Sequence, residues 1–248
     1  MKQSWSIVIM CYNEVATVAK VVKHTVEILK DLASEFEIIL VDDGSTDGTR
    51  QVLAALETSV PNFKVIYHAQ NRGIGHTLRS GYFEAQYENL CAVPADGQFD
   101  LNELKAHSFV PANTFVSFYR KENTTYTFTR NALSWFNRKL NWLLLGMDLK
   151  DVNWVKIYKN ETIKQLDLKI ESSLVESEIC AKLFALKHKP IQVQSKYLPR
   201  EAGQSKGASF NIVKQALLDT LFLAKVVRRF RKKAKPKVWV QKTMMIEA

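Results

Sequence analysis

EIILVDDGSTDGT, residues 37–49, decides how the rest of the chain is read. Ile38, Ile39, Leu40 and Val41 form an unbroken apolar run that suits a strand buried on both faces. The run ends in two carboxylates, Asp42 and Asp43, followed by a polar turn of Gly44, Ser45 and Thr46. Asp47 stands in N-cap position, and Val52, Leu53 and Leu56 then recur at helical spacing. A buried strand that delivers acids to a turn and then a helix is where open α/β sheets bind ligands. Taken alone, the same residues also describe a surface turn rich in Asp and Gly.

Outward from this unit the pattern repeats. Residues 6–11 are a short apolar strand, followed directly by Tyr12, Asn13 and Glu14. Asn13 is placed to cap a helix whose apolar stripe is Val15, Val18, Val22, Val26 and Leu29. Residues 63–67 predict a third strand, followed by the turn Asn71-Arg72-Gly73-Ile74-Gly75 and a helix over 76–87. A fourth strand, 90–93, runs into Pro94-Ala95-Asp96-Gly97-Gln98. Strands alternating with helices predict an α/β domain built on a parallel, helix-covered sheet. After about Ala106 the rhythm changes. A strand over 114–119 ends at Arg120, and a polar linker leads to Arg130. A helix over 132–145 stops at Gly146. A strand is expected over 151–158, a helix over 173–186 with Glu176 and Glu178 in its first half, and a strand over 191–197. A polar loop, 199–206, closes the series.

The 248 residues are 46% hydrophobic and 24% charged, enough for one large domain or two modest ones. Cys11, Cys91 and Cys180 form no CxxC pair, which fits a reducing compartment and offers no sulfur metal site. The apolar run near the amino terminus has strand length and lacks the features of a signal peptide. No stretch reaches the roughly 20 apolar residues of a membrane span. Seven basic residues and no acid lie between Arg228 and Lys237. Without those seven charges the formal net charge of +10 falls to +3, so the positive character belongs to a tail.

Asp96 and Gln98, two apart in an extended segment, point the same way and can hold a hard divalent cation; an Asp-Gly turn explains the tripeptide equally. Taken together, SIVIMCYNE, VDDGSTDGT, NRGIGHTLRSGY and PADGQFD, in this order and spacing, resemble family 2 glycosyltransferases of the GT-A fold. Within that family the chain is most similar to the dolichyl- or polyprenyl-phosphate sugar transferases. The resemblance covers about residues 4–206, with Arg120, Arg130, DVNWVKIY and LPREAGQSK pointing to the polyprenyl-phosphate branch.

The resemblance implies a Rossmann-like, mostly parallel sheet flanked by helices, with a catalytic domain over 1–207. Residues 1–105 would form its nucleotide-sugar half and 106–207 its acceptor half, while 208–248 would be an amphipathic helix and basic tail. It implies that Tyr12, Asn13 and Glu14 contact a UDP- or GDP-sugar, and that Asp42 accepts hydrogen bonds from the base or ribose. Asp43 would brace the turn, and Asn71, Arg72 and Gly73 would line the cleft. Asp96 and Gln98 would hold Mg2+ or Mn2+ against the diphosphate. Where the family often has Asp-x-Asp, this chain has Pro94 in the first position, which leaves one carboxylate. Arg200, Ser205 and Lys206 belong to a loop that would close over the diphosphate. Arg120 and Arg130 would position a polyprenyl phosphate whose oxygen is already ionised, so that attack inverts the anomeric centre without a general base. A saccharide hydroxyl acceptor would need a base, and Asp151, Glu176 and Glu178 are the acids to examine. A non-catalytic nucleotide-sugar-binding membrane adaptor is the reading from another class.

Trp135, Phe136, Leu140, Trp142, Leu143, Leu144 and Leu145 make the helix over 132–145 apolar nearly all round, which suits burial or contact with lipid. Phe210, Val213, Leu217, Leu221 and Ala224 share one helical face, widened by Ile212, Leu223 and Val227. Followed by the basic run, this predicts residues 208–237 lying on an anionic membrane at its cytoplasmic, inner face, or a helix packed on the core. No nucleic-acid reading motif is present.

Overall fold

A computed structural model describes residues 2–120, 139, 142–199 and 210–233, with side chains in the last helix from Asp219 onward. Seven strands form one sheet: β1 (Trp5–Cys11), β2 (Phe36–Asp42), β3 (Phe63–Tyr67), β4 (Asn89–Pro94), β5 (Thr114–Arg120), β6 (Lys156–Lys159) and β7 (Lys189–Ser195). Their order is β3-β2-β1-β4-β6-β5-β7. β1 lies parallel to both β2 and β4, and β2 to β3; only β6 runs antiparallel to its neighbours, β4 and β5. The GT-A arrangement expected from the motifs is therefore present, a mostly parallel α/β sheet with a crossover point between β1 and β4.

Helices cover both faces. Alternation along β1 places Trp5, Ile7, Ile9 and Cys11 against α1 (Val18–Leu32), α2 (Thr49–Ser59) and a 3-10 helix, Leu101–His107. Val8 faces the other layer, built from α3 (Ile74–Glu84), α4 (Asn160–Lys164), α5 (Val175–Ala185) and α6 (Phe210–Lys233). Gly81 permits the close approach of α3 to β1, because a Cβ there would meet the Val8 side chain.

Several expectations shift. Asn13 does not cap α1, which starts at Val18 with Thr17 as its N-cap. Asn13 instead stands at φ 56° in the left-handed region, and Val15 is exposed ahead of the helix. Gly48, not Asp47, occupies the N-cap of α2, although Asp47 still accepts from the Thr49 N–H. The strand expected over 151–158 reduces to Lys156–Lys159. Among the described side chains of α6, the buried stripe is Thr220, Leu223, Ala224 and Val227, while Leu221 faces solvent. The residues at i, i+3, i+4 and i+7 win the core contact, and Leu221 lies off that stripe.

Glu176 and Glu178 open α5 as expected, yet both turn inward. Glu178 accepts the Lys169 and Ile170 N–H groups at 2.7–2.9 Å and pairs with buried Lys182. Glu176 accepts from the Tyr82 and Tyr158 hydroxyls and lies 3.5 Å from Lys156 Nζ. Burial, followed by the charge and hydrogen bond of Glu176, pushes the Tyr82 phenol well above its ordinary range. These groups tie α3, β6 and the 167–170 loop to α5. Replacing Lys182 by Met leaves Glu178 buried without its cation. The expected loss is about 3–5 kcal/mol, seen as a thermal midpoint lower by on the order of 10 °C. A drop below about 2 °C would show that the pair does not hold this layer.

Candidate active site

The two acids that end β2 diverge because successive side chains in a strand point to opposite faces. Asp42 follows Ile38 and Leu40 toward α2, where it accepts from Arg50 Nε at 2.7 Å and from the Ser45 N–H at 3.2 Å. It is fully buried. Asp43 turns toward α3. It accepts the Arg72 and Gly73 N–H groups at 2.9 and 2.8 Å and lies 2.8 Å from His68 Nδ1, whose Nε2 meets Ser80 Oγ at 2.9 Å. Gly44, between this turn and the β3–α3 loop, stands at φ +78°; a Cβ there would lie 2.5–2.8 Å from the Gln70 and Asn71 backbone.

The same turn is laced to the loop after β1. Asn13 N–H donates to Ser45 Oγ and Asn13 Oδ1 accepts from the Thr46 N–H, each at 2.8 Å. Glu14 N–H donates to Thr49 Oγ1, and Val15 N–H to Asp47. Burial alone would raise the Asp47 carboxyl, but the Thr49 and Val15 hydrogen bonds outweigh it and hold the group below its ordinary range.

These turns enclose a cavity of about 590 Å³ at the carboxyl ends of β1, β2 and β4. Tyr12, Asn13 and Glu14 line one wall, Asp43, Asn71 and Gly73 another, and Pro94, Ala95 and Asp96 the third. Of the residues expected to line the cleft in the described region, Asp42 and Arg72 are absent from the wall. Strand parity buries Asp42 against Arg50, and Asp43 is the acid that reaches the cavity. Cys11 also lines it; burial, then the nearby Asp42 and Glu14 charges, push its thiol well above its ordinary range.

A second group forms around the end of β5. Arg120 donates to both oxygens of Asp151, at 2.8 and 3.3 Å, and lies over the Trp154 ring at 4.7 Å and the Tyr197 ring at 5.7 Å. Asp151 is thus an ion-pair partner. Tyr197 Oη accepts from Gln98 Nε2 at 2.7 Å. Tyr197 also bridges to Phe99 in antiparallel fashion, and the Leu198 N–H donates to the Gln98 carbonyl at 3.0 Å. The Asp96 loop and the Arg120 cluster are joined through this short pairing. Arg130, Arg200, Ser205 and Lys206 lie outside the described residues.

Arg50, His68, Ser80, Trp154 and Tyr197 were not expected in these roles. Arg50 follows the signature by one residue and could have been read as a partner for its acids; the other four carry no spacing signal, because only the folded sheet brings them near. Among the described residues no three His, Cys, Asp or Glu side chains gather around one point. Asp96, whose Oδ1 accepts the Gln98 N–H at 3.0 Å, lies on the cavity wall and could offer a carboxylate oxygen to a cation, with Gln98 able to add an amide oxygen. A hard cation there would draw its other oxygen ligands from a bound diphosphate and water, which fits Mg2+ or Mn2+.

The family model described as "Glycosyl transferase family 2" matches residues 6–144. The undecaprenyl-phosphate mannosyltransferase of Micrococcus luteus is 24% identical over 224 residues, 86% of this chain and 90% of that protein. The dolichyl-phosphate β-glucosyltransferase of Saccharomyces cerevisiae is 30% identical over 106 residues, 40% of this chain; the match spans only 32% of the yeast protein. Among solved structures, glucosyl-3-phosphoglycerate synthase from Mycobacterium tuberculosis, crystallised with Mn2+, UDP-glucose and phosphoglyceric acid, superposes with a TM-score of 0.63. It is 17% identical, over 90% of this chain and 80% of that one. With more than half of its length matched by the family model, the chain belongs to glycosyl transferase family 2.

Proposed function

We propose that this protein moves a sugar from a UDP- or GDP-sugar to a polyprenyl phosphate at a membrane surface, with inversion at the anomeric carbon. The observation that carries the reading is the cavity at the β1–β4 crossover, walled by Tyr12, Glu14, Asp43 and Asp96, in a chain whose M. luteus relative is named for transfer to undecaprenyl phosphate. Tyr12, Asn13 and Glu14 on one wall and Asp43, Asn71 and Gly73 on the other would hold the nucleoside. Asp96 and Gln98 would hold Mg2+ or Mn2+. When bound, the cation supplies neutralising charge to the diphosphate leaving group. Arg200, Ser205 and Lys206 are proposed to add positive charge over the same diphosphate.

The reaction then needs little proton chemistry. A phosphate oxygen of the lipid attacks the anomeric carbon, a new C–O bond forms, and the bond from that carbon to the β-phosphate oxygen breaks. The electron pair leaves with the nucleoside diphosphate. Arg120, braced by Asp151 and the faces of Trp154 and Tyr197, is proposed with Arg130 to orient the anionic acceptor and offset its repulsion from the donor. A hydroxyl acceptor would require a base. Asp151, Glu176 and Glu178 are each committed to a cation, which supports an acceptor that arrives already ionised.

Membrane binding would use a different surface. No helix among the described residues is long and apolar enough to cross a membrane. Trp142, Leu143, Leu221 and Phe222 are each more than half exposed, and Lys139 Nζ lies 5.9 Å from the Trp142 ring. Arg228, Arg229, Lys232 and Lys233 are exposed on α6. Apolar side chains with cations on the same short segments suit the interface of an anionic, inner-face bilayer. Because α6 buries Leu223, Ala224 and Val227, it would dock as part of the folded body.

Incubation with labelled UDP- and GDP-sugars, Mn2+ and polyprenyl phosphate should yield a labelled lipid. Asp96→Ala should slow that transfer about 100-fold, or ~2.7 kcal/mol in the barrier. Unchanged transfer would remove Asp96 from the mechanism, and a water-soluble product in place of the lipid would redirect the acceptor. In a separate test, Leu221→Ser with Phe222→Ser should lower co-sedimentation with anionic liposomes at least tenfold, since a tenfold loss needs only about 1.4 kcal/mol and each fully buried apolar side chain contributes roughly 1.5–3 kcal/mol. Equal sedimentation of wild type and variant would exclude this face as the membrane contact.

A further inference from the structure

Tyr197 lies where the Asp96 loop and the Arg120 cluster meet, and its hydroxyl is used in a specific way. It accepts the Gln98 side-chain amide N–H at 2.7 Å. An amide has a donor end and an acceptor end, and only the oxygen can face a cation. When it does, the NH2 group is left needing an acceptor of its own, because a half-buried donor without one costs stability. Tyr197 meets that need. We propose that Tyr197 is a positioning residue for the candidate cation site: by taking the Gln98 Nε2 hydrogen, its hydroxyl fixes the amide so that the oxygen is the end presented beside Asp96. The inference rests on the reading of Asp96 and Gln98 as cation ligands.

The hydroxyl is well fixed for this purpose. Tyr197 pairs with Phe99, and its neighbour Leu198 donates to the Gln98 carbonyl, so the backbones of the two segments move together. The ring packs edge-on to Trp154 at 5.5 Å, and the Trp154 indole N–H donates to Ser195 at 3.1 Å. On the Gln98 side, the backbone N–H donates to Asp96 Oδ1 at 3.0 Å. Gln98 is therefore held at its backbone by Asp96 and at its amide nitrogen by Tyr197. With its nitrogen turned to Tyr197, the amide has its carbonyl oxygen as the end left for a cation.

The test is a double-mutant cycle on Mn2+ binding, read by the loss of the free-ion electron paramagnetic resonance signal, with UDP or GDP present and no acceptor. Tyr197→Phe keeps the ring, and with it the contacts to Trp154 and Arg120, but removes the hydroxyl. It should weaken Mn2+ binding about tenfold, the low end of what groups orienting a metal ligand contribute. Gln98→Glu makes both ends of the side chain oxygen, so orientation no longer matters; on that background Tyr197→Phe should change Mn2+ affinity less than about twofold. Equal loss on both backgrounds would mean that the hydroxyl acts through the fold, and no loss on the Gln98 background would mean that it does not act at all; either overturns the proposal. If wild type takes up no Mn2+ with either nucleotide, the cation-site reading fails first and this inference falls with it.

Discussion

The cavity at the carboxyl ends of β1, β2 and β4 depends on two adjacent carboxylates being forced apart by strand geometry. Asp42 and Asp43 end β2 side by side, and the alternation of a strand sends one to each layer of helices. Asp42 ties the following turn and α2 to the sheet through Ser45 and Arg50. Arg50 in turn donates to the His68 carbonyl at 2.5 Å, so the same acid also reaches the strand end at β3. Asp43 gathers the β3–α3 loop by its backbone N–H groups. A carboxylate that receives several such donors is held rigidly even when buried. Two loops that would otherwise close independently over the sheet are set in one geometry, and the cavity is the space between them. Gly44 completes the constraint: only a residue without Cβ fits between this turn and the Gln70–Asn71 backbone.

The second half is joined to the first by different means. β6 enters the sheet antiparallel between β4 and β5, which brings Asp151, Trp154 and Arg120 to the same edge as the Asp96 loop. Behind it, Lys156 with Glu176 and Lys182 with Glu178 form ion pairs inside the helical layer. Such pairs add little by themselves against an apolar alternative, but removing one partner leaves a buried charge. In front, the pairing of residues 98–99 with 197–198 is the only direct strand-like link described between the Asp96 loop and the segment that leads to Arg200.

Much of this is legible in the sequence, for reasons that differ by residue. The strands through Pro94 could be read because each is a dense apolar run ended by polar or Gly-rich turns, and the sheet class follows from their alternation with helices. Tyr12, Glu14, Asn71 and Asp96 could be placed together because all lie just past strand ends, which a parallel sheet collects on one edge. Choosing between Asp42 and Asp43 required the strand's parity relative to Leu40 and Val41, and a run apolar on both faces conceals it. Asn13 looked like a cap because Asn commonly is one; its left-handed backbone came from its bonds to Ser45 and Thr46, which are long-range. The inward turn of Glu176 and Glu178 was hidden for the same reason, since their partners come from α3, β6 and the 167–170 loop.

Pro94 gives the site its particular electrostatic character. It pairs with Met10 across the β1–β4 edge, and the next N–H, from Ala95, donates to the Met10 carbonyl at 2.9 Å. Proline carries no N–H, so it costs the ladder nothing at this terminal position. A second carboxylate at that point would stand on the same wall as Asp96 and, with Glu14 and Asp43 on the other walls, would crowd four negative groups around one cavity. With Pro94 the wall keeps three, Glu14, Asp43 and Asp96, and Asp43 already receives the Arg72 and Gly73 N–H groups. On the proposed reading, a cation at Asp96 then has too few protein oxygens to be held strongly by itself, because hard divalent ions take six or more. The diphosphate supplies the missing ligands. Cation and nucleotide would therefore strengthen each other's binding by the same factor, and the orientation of a single amide oxygen at Gln98 matters more here than it would in a site with carboxylates to spare.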